Sequence, residues 1–376
     1  MKFYNINFKT FFPLTLTKST SEILFGLHTL GEKWKNVRIN THKSQELYIN
    51  PLAIPNPTLI TEINQLPENT NLFYGKSLIA SKINKLKITD TTITSTIPDL
   101  QKMETISEPE IVIDLTYLLK NNAKQIIEEI KSLESTEWQG KWTSFEKDVY
   151  IHHSARVENA LIDSSDGPVF IGRNAYVMNG SILKGPLAIL DNVVLKMGAK
   201  IYPGTSIGPH SAVGGEIKNS IIHPFSNKTH DGYLGDSILG SWNNLGANTN
   251  VSNVSNNFDF IKSVDWASGN IITLSTIKRG VVTGDFVKTG INTTIYSGTL
   301  IGPFCSLATT LPIKGLIPSI RWITNEKNTT YQLEKLISHC KNQMQLKNRE
   351  WTDDWEQILK IVADQKIKGA SDDKMV

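Results

Sequence analysis

The chain holds only two cysteines in 376 residues, Cys305 and Cys340, and they stand neither as a pair nor at a metal-ligand spacing. That argues against a disulfide framework and a structural zinc site, and fits a reducing compartment. An excess of one charge is missing too: 39 basic against 36 acidic side chains leave a formal +3. Nothing there calls for nucleic acid or an anionic membrane as partner. No run approaches the roughly eighteen consecutive apolar residues of a membrane span, and polar residues interrupt the opening stretch Met1–Lys9. A cytoplasmic location is the expectation. The length is too great for one ordinary core, so two domains and a tail are expected.

What the chain does have is a period of six. Ile171, Val177, Leu183, Ile189, Leu195, Ile201, Ile207 and Val213 recur at strict intervals, with small residues between them, as in Ile201-Tyr-Pro-Gly-Thr-Ser. A helix repeats at about 3.6 residues and a strand at 2, so neither fits. Short strands joined by tight corners do fit. Three periods close one triangular coil, and stacked coils make a parallel β-helix. The pattern predicts such a solenoid over residues 148–318, with roughly seven coils and a height of about 33 Å. The register slips between Lys218 and Gly232, then returns at Leu239, Leu245, Thr283, Thr289, Ile295, Ile301 and Leu307. Asn248–Gly280 reads as a loop leaving the coil near residues 250–280.

Residues 1–140 read as a mixed α/β domain. A helix is predicted over Ile23–Val37 and another over Asn121–Leu133, whose apolar positions form one stripe. Short strands are predicted at Leu47–Ile49, Leu72–Tyr74 and Ile111–Ile113, and Thr89–Pro98 is a strand or an exposed loop. Beyond Pro318, residues 325–365 should hold two helices, Thr330–Asn348 and Trp351–Val362, capping or flanking the open end of the solenoid. Residues 366–376 are expected to be a disordered tail.

A regular coil has no pocket, which directs attention to the slip. His230 has the intrinsic pKa suited to exchanging a proton near neutrality. Lys218 can bind an anion, Tyr233 offers a hydroxyl and a stacking face, and Asn244 and Asn253 can hold sugar hydroxyls. The backbone at Gly246-Ala247 can present an N–H to an oxyanion. Each has a plainer reading: a surface histidine, a solvated lysine, and asparagines serving as corner residues.

At these positions the chain resembles the acetyltransferase half of the bacterial bifunctional enzymes that acetylate glucosamine 1-phosphate and couple the product to UTP. The matching string is Glu216-Ile-Lys218, His230, Tyr233-Leu-Gly-Asp236, and Asn244-Leu-Gly-Ala-Asn-Thr249 with Asn253. Phe12-Pro-Leu-Thr-Leu-Thr-Lys18, Gly31-Glu-Lys-Trp34 and Ser226-Asn-Lys-Thr-His230 are similar to a divergent Bacteroidetes branch described as sugar nucleotidyltransferases. The resemblance implies a reduced nucleotidyltransferase-like domain, then a left-handed parallel β-helix, a homotrimer and an acyl-CoA co-substrate. It implies His230 as general base and the Ala247 N–H at the oxyanion. Lys218, Tyr233, Asn244, Asn253 and Lys262 would bind a sugar phosphate or sugar nucleotide. No metal is implied for acyl transfer, and Mg2+ only if nucleotidyl transfer survives.

Alternative readings are a sugar-1-phosphate nucleotidyltransferase and a non-catalytic scaffold that binds sugar nucleotides. Tyr202 replaces the family's phosphate-binding arginine, Val254 a tyrosine, and Ile291 a serine near coenzyme A. Residues 3–20 contain no glycine for a phosphate-cradling loop. The histidines, among them His152, His153, His210 and His223, lack the spacing of a γ-type carbonic anhydrase.

Overall fold

A computed structural model of the chain describes residues 1–6, 8–42, 44–84, 98–134, 142–144 and 148–365. The stretches expected as a strand or loop at Thr89–Pro98 and as a C-terminal tail fall largely or wholly outside the described residues. Two compact units divide the chain: Met1–Phe11, Lys18–Ile23 and His28–Tyr117 form one, and Phe12–Thr17, Leu24–Leu27 and everything from Leu118 form the other.

The first unit is built on a mixed five-stranded sheet in the order Lys2–Phe3, Gln45–Ile49, Ser77–Asn84, Thr70–Tyr74, Gln101–Glu104. Helix α1 (Leu30–Lys35) and helix α2 (Pro57–Gln65) accompany it. Trp34, Leu47, Ile49, Leu59, Ile63, Leu72 and Ile79 form its core, and the Trp34 indole donates to the Ala53 carbonyl at 2.8 Å. The predicted helix over Ile23–Val37 shrinks to Leu30–Lys35. Gly26 takes φ +77°, and Thr29 caps a helix that begins after it, with Glu32 reciprocating. Ile111–Ile113 is no strand; Ile111 makes only an isolated bridge to Ala53. Helix α3 (Leu115–Glu134) starts earlier than expected because the Asp114 carboxylate accepts the Tyr117 N–H at 2.7 Å.

The second unit is a parallel β-solenoid. Its longest face, face one, stacks nine parallel rungs from Val149–His152 to Leu316–Ile317, with Trp142–Ser144 added antiparallel at one end. The coils therefore outnumber the seven expected, because irregular turns at both ends join the stack. Face two carries Arg156–Val157 through Arg321–Thr324, and face three carries Leu161–Asp163 through Thr294–Ile295. The interior is the aliphatic column that the repeat announces: Ile171, Val177, Leu183, Ile189, Leu195, Ile201, Ile207 and Val213 are all buried.

The slip has a simple cause. On faces one and two Ile207 pairs with Ile222 and Val213 with Lys228, a step of fifteen residues in place of eighteen. The missing residues come from the corners: Val213 to Ile217 is four positions, across Gly214 and Gly215 (φ +69°), and Ile217 to Ile222 is five. Tight corners bring polar side chains of adjacent rungs into one column.

The corner between faces one and two holds what the repeat does not announce. Asn174, Asn192, His210, Phe225, Trp242, Phe286, Phe304 and Ile320 all take φ between +52° and +63°. The left-handed region is costly for aromatic residues. Here the rings stack rung on rung, with centroids 4.9, 4.3, 5.8 and 5.4 Å apart from His210 to Phe304. Helix α4 (Leu333–Gln345) and helix α5 (Asp353–Asp364) cover this ladder and do not cap the open end. Gln343 donates to the Trp242 carbonyl at 2.6 Å, and Arg349 lies over the Phe225 ring at 5.5 Å. Trp355 meets Phe286 edge-on at 5.1 Å.

The insertion leaves the coil after Val251 and returns before Val282. It folds as an antiparallel hairpin, Lys262–Val264 against Ile271–Thr273, and the Ser263 hydroxyl donates to Gly298 O at 2.7 Å.

Candidate functional site

On face three the rungs Glu216–Lys218 and Tyr233–Gly235 pair in parallel, Lys218 opposite Gly235. Tyr202 stands in the same column one rung earlier, and the Lys218 ammonium lies 5.8 Å from its ring centroid. A cation over an aromatic face is an attractive contact. The Tyr233 ring folds across Gly235, where a Cβ would lie 2.3 Å from the tyrosine hydroxyl. Burial pushes that phenol up to about 12, helped by the negative charges of Asp236 and Glu216 and by Tyr202, and opposed by the Asn253 hydrogen bond.

The next column is the corner between faces three and one. Asn219 (φ +44°) and Asp236 (φ +47°) occupy successive rungs, with Asn253 after them. The amides of Asn219 and Asn253 donate to the two oxygens of Asp236 at 2.7 and 2.5 Å. The insertion returns to this point: the Gly280 N–H donates to the Asp236 carbonyl and the Arg279 N–H to that of Asn253, both at 2.8 Å.

His230 and Ala247 lie on the corner between faces two and three. The Asn248 N–H donates to Asp231 O at 2.9 Å, which sets His230 and Ala247 on adjacent rungs. The imidazole is exposed, and the Ala247 N–H has no hydrogen-bond partner among the described residues. Asn244 is on face two, where its backbone bridges Asn227 and Lys288. Lys262 is exposed on the insertion hairpin.

The predicted residues thus fall into groups. Lys218, Tyr233 and Asn253 gather on face three and its far corner; His230 and Ala247 share the near corner; Asn244 and Lys262 stand apart from both. Three residues at these positions lie outside the predicted set, Asn219 among them. Asp236, inside the matched string, joins Asn219 to Asn253. Lys228 occupies an interior position, six after Ile222 and six before Leu234, that the repeat reserves for aliphatic residues. Its ammonium donates to Gly214 O at 3.0 Å and His230 O at 2.7 Å. A lysine in the aliphatic register was the available signal. Neither cysteine is a nucleophile here: burial pushes both thiols up to about 12. No helix among the described residues is long and apolar enough to cross a membrane.

A parallel solenoid built on a six-residue repeat, with polar groups gathered where its corners tighten, defines the hexapeptide-repeat class of fold. Residues 38–137 match the family model described as sugar nucleotidyl transferase. The uncharacterized acetyltransferase YaiX of Escherichia coli O6:K15:H31 is 29% identical over 181 residues, 48% of this chain and 76% of its own length. A bifunctional sugar-1-phosphate nucleotidylyltransferase/acetyltransferase of Sulfurisphaera tokodaii is 30% identical over 38% of this chain and 35% of its own. The bifunctional protein GlmU of Methanococcus maripaludis is 31% identical over 40% and 36%. The chain is a homologue of these bifunctional proteins at modest identity, and its match spans only about a third of their length. A solved UDP-N-acetylglucosamine acyltransferase from Campylobacter jejuni is 19% identical over 58% of this chain and 97% of that one, with a TM-score of 0.24. That score adds nothing to what strand pairing already shows.

Proposed function

We propose that the chain transfers an acyl group from acyl-CoA to the amine or hydroxyl of an amino sugar phosphate or sugar nucleotide, in the cytoplasm. The observation that carries this reading is the pair on one corner: an exposed imidazole at His230 and, one rung away, an N–H at Ala247 without a partner among the described residues. His230 takes the proton of the acceptor amine as its nitrogen attacks the thioester carbonyl. The Ala247 N–H donates to the oxyanion that forms, and collapse expels the thiolate of coenzyme A. Lys218 meets the phosphate, Tyr233 and Asn253 hold the sugar, and Asn244 and Lys262 complete the surroundings.

One chain spreads these groups over two faces, two corners and a hairpin. A homotrimer that sets the corner of one chain against face three of the next would assemble them. Sedimentation of the full chain tests the trimer. His230→Ala tests the chemistry, read as thiol release from acetyl-CoA with glucosamine 1-phosphate. A loss of about a hundredfold or more is expected, and undiminished turnover removes His230 from the mechanism.

The family match over residues 38–137 raises nucleotidyl transfer as a second reading. Its chemistry needs a loop of small residues whose N–H groups meet phosphate. The segment following the first strand instead carries Phe12, Leu14, Thr15, Leu16 and Thr17, all buried. Among the described residues no three of His, Cys, Asp and Glu converge to hold a metal. No step is assigned to Mg2+.

A further inference from the structure

The reaction above makes no use of Asp236. It is 6% exposed, and each of its oxygens takes a hydrogen from a flanking amide, Asn219 on one rung and Asn253 on the other. A carboxylate only accepts hydrogen bonds. The amides beside it are therefore oriented by chemistry, since an amide oxygen turned toward Asp236 would meet an acceptor. Asn253 turns its Nδ2 to Asp236, and its Oδ1 is left as an acceptor without a partner among the described residues.

We infer that Asp236 is a positioning residue that sets the hydrogen-bonding polarity of the sugar surface on face three. It holds Asn253 as an acceptor, so the site takes a ligand that donates at that place, a pyranose hydroxyl or an amine N–H. A ligand with only an acceptor there meets the Asn253 oxygen with no hydrogen between them, and buried unpaired polar groups discriminate strongly. This inference rests on the reading of Asn253 as a sugar contact. Asp236→Asn releases the constraint: the new amide can donate to the Asn253 oxygen, which turns the Asn253 NH2 toward the ligand and removes the preference for a donor.

Two measurements on the full chain test it. In nitrogen-correlated NMR spectra the Asn253 side-chain amide, assigned by its loss in Asn253→Ala, should exchange slowly with water. Asp236→Asn should speed that exchange by about tenfold or more. An Asn253 amide that exchanges like exposed asparagines in the unmodified protein overturns the positioning role. Calorimetry with glucosamine 1-phosphate and its 3-, 4- and 6-deoxyfluoro analogues reads the polarity, because fluorine keeps the size of the hydroxyl but cannot donate. One analogue should bind the unmodified protein about tenfold or more weakly, and the gap should close to within about threefold in Asp236→Asn. An unchanged gap in a variant of unchanged melting temperature overturns the inference. Slow Asn253 exchange in a protein that binds none of these probes upholds the positioning role and removes the sugar-phosphate reading.

Discussion

The Lys228 ammonium donates to the His230 carbonyl at 2.7 Å, from a position inside the solenoid. It lies 2% exposed in the column between Val213 and Leu245 and ties the corner that carries His230 to Gly214 on the rung before. Burial lowers its pKa from 10.5 to about 8, with Asp231 opposing. The folded protein therefore gives up this proton before the unfolded chain does. Between about pH 8 and 10.5 the unfolded state binds more protons, so stability rises with pH. The gain is on the order of 3 kcal/mol across that window. Urea midpoints of the protein and of Lys228→Met, compared from pH 7.5 to pH 11, should diverge in favour of the unmodified chain as pH rises. A constant difference would mean that the ammonium is not held as the structure shows.

Trp242 combines a left-handed backbone (φ +62°) with stacking on Phe225 at 4.3 Å and Phe286 at 5.8 Å. Its truncation separates the two effects. Trp242→Ala loses the stack and should cost about 3–5 kcal/mol in denaturant unfolding. Trp242→Gly loses the same stack but relieves the backbone, because glycine adopts positive φ freely. It should be no less stable than the alanine variant, the reverse of the usual order. An alanine variant clearly more stable than the glycine one would show that the corner carries no strain.

The solenoid was legible because burial there obeys a fixed spacing: Ile171 to Val213 point inward for the same reason that they recur. The aromatic corner was less legible. Phe225, Trp242, Phe286 and Phe304 occupy a position where Asn174 and Asn192 look ordinary, and only stacking across rungs makes the rings acceptable. The helix expected over Ile23–Val37 failed at Gly26 and Thr29, where local backbone chemistry outweighed an apolar pattern. In the candidate site, the string from Glu216 to Asn253 marked the region. It did not reveal that two shortened corners align Asn219 and Asp236 with Asn253, since a column across rungs has no constant separation along the chain.

Gly235 gives a direct test of the Tyr233 position. A Cβ there would stand 2.3 Å from the tyrosine hydroxyl and 2.7 Å from the ring edge, so Gly235→Ala must displace the ring. The backbone at this rung is extended, and the interior neighbour Leu234 is untouched, so the melting temperature should change little. Tyr233 would lose the burial that holds its phenol near 12. Tyr4 and Tyr331 are also raised to about 12 and should remain so. Tyrosine ring-carbon NMR across an alkaline titration should therefore show one high-titrating phenol fewer in the variant, returned toward the ordinary value of about 10. The same variant should bind glucosamine 1-phosphate more weakly by about tenfold. An unchanged set of tyrosine titrations would place the ring elsewhere.

The segment Phe12–Thr17 lies outside residues 38–137, whose family match raises nucleotidyl transfer as the second reading. Thr17 donates to Asp285 at 2.8 Å within the second compact unit, and Asp285 also accepts the Ser241 N–H at 2.7 Å. A hydrogen bond to a buried carboxylate contributes about 1.5–3 kcal/mol, so Thr17→Val should lower stability by that order. The segment is thus held by the solenoid, with its side chains packed inward and no glycine to bring N–H groups to a phosphate. A ligand that binds the native state raises its melting temperature by mass action, by an amount that grows with concentration. UTP with Mg2+ should leave the melting temperature of the full chain unchanged up to millimolar concentration, whereas acetyl-CoA should raise it. A saturable rise with UTP that vanishes in Thr17→Val would reverse the ranking of the two activities and assign this segment to nucleotide binding.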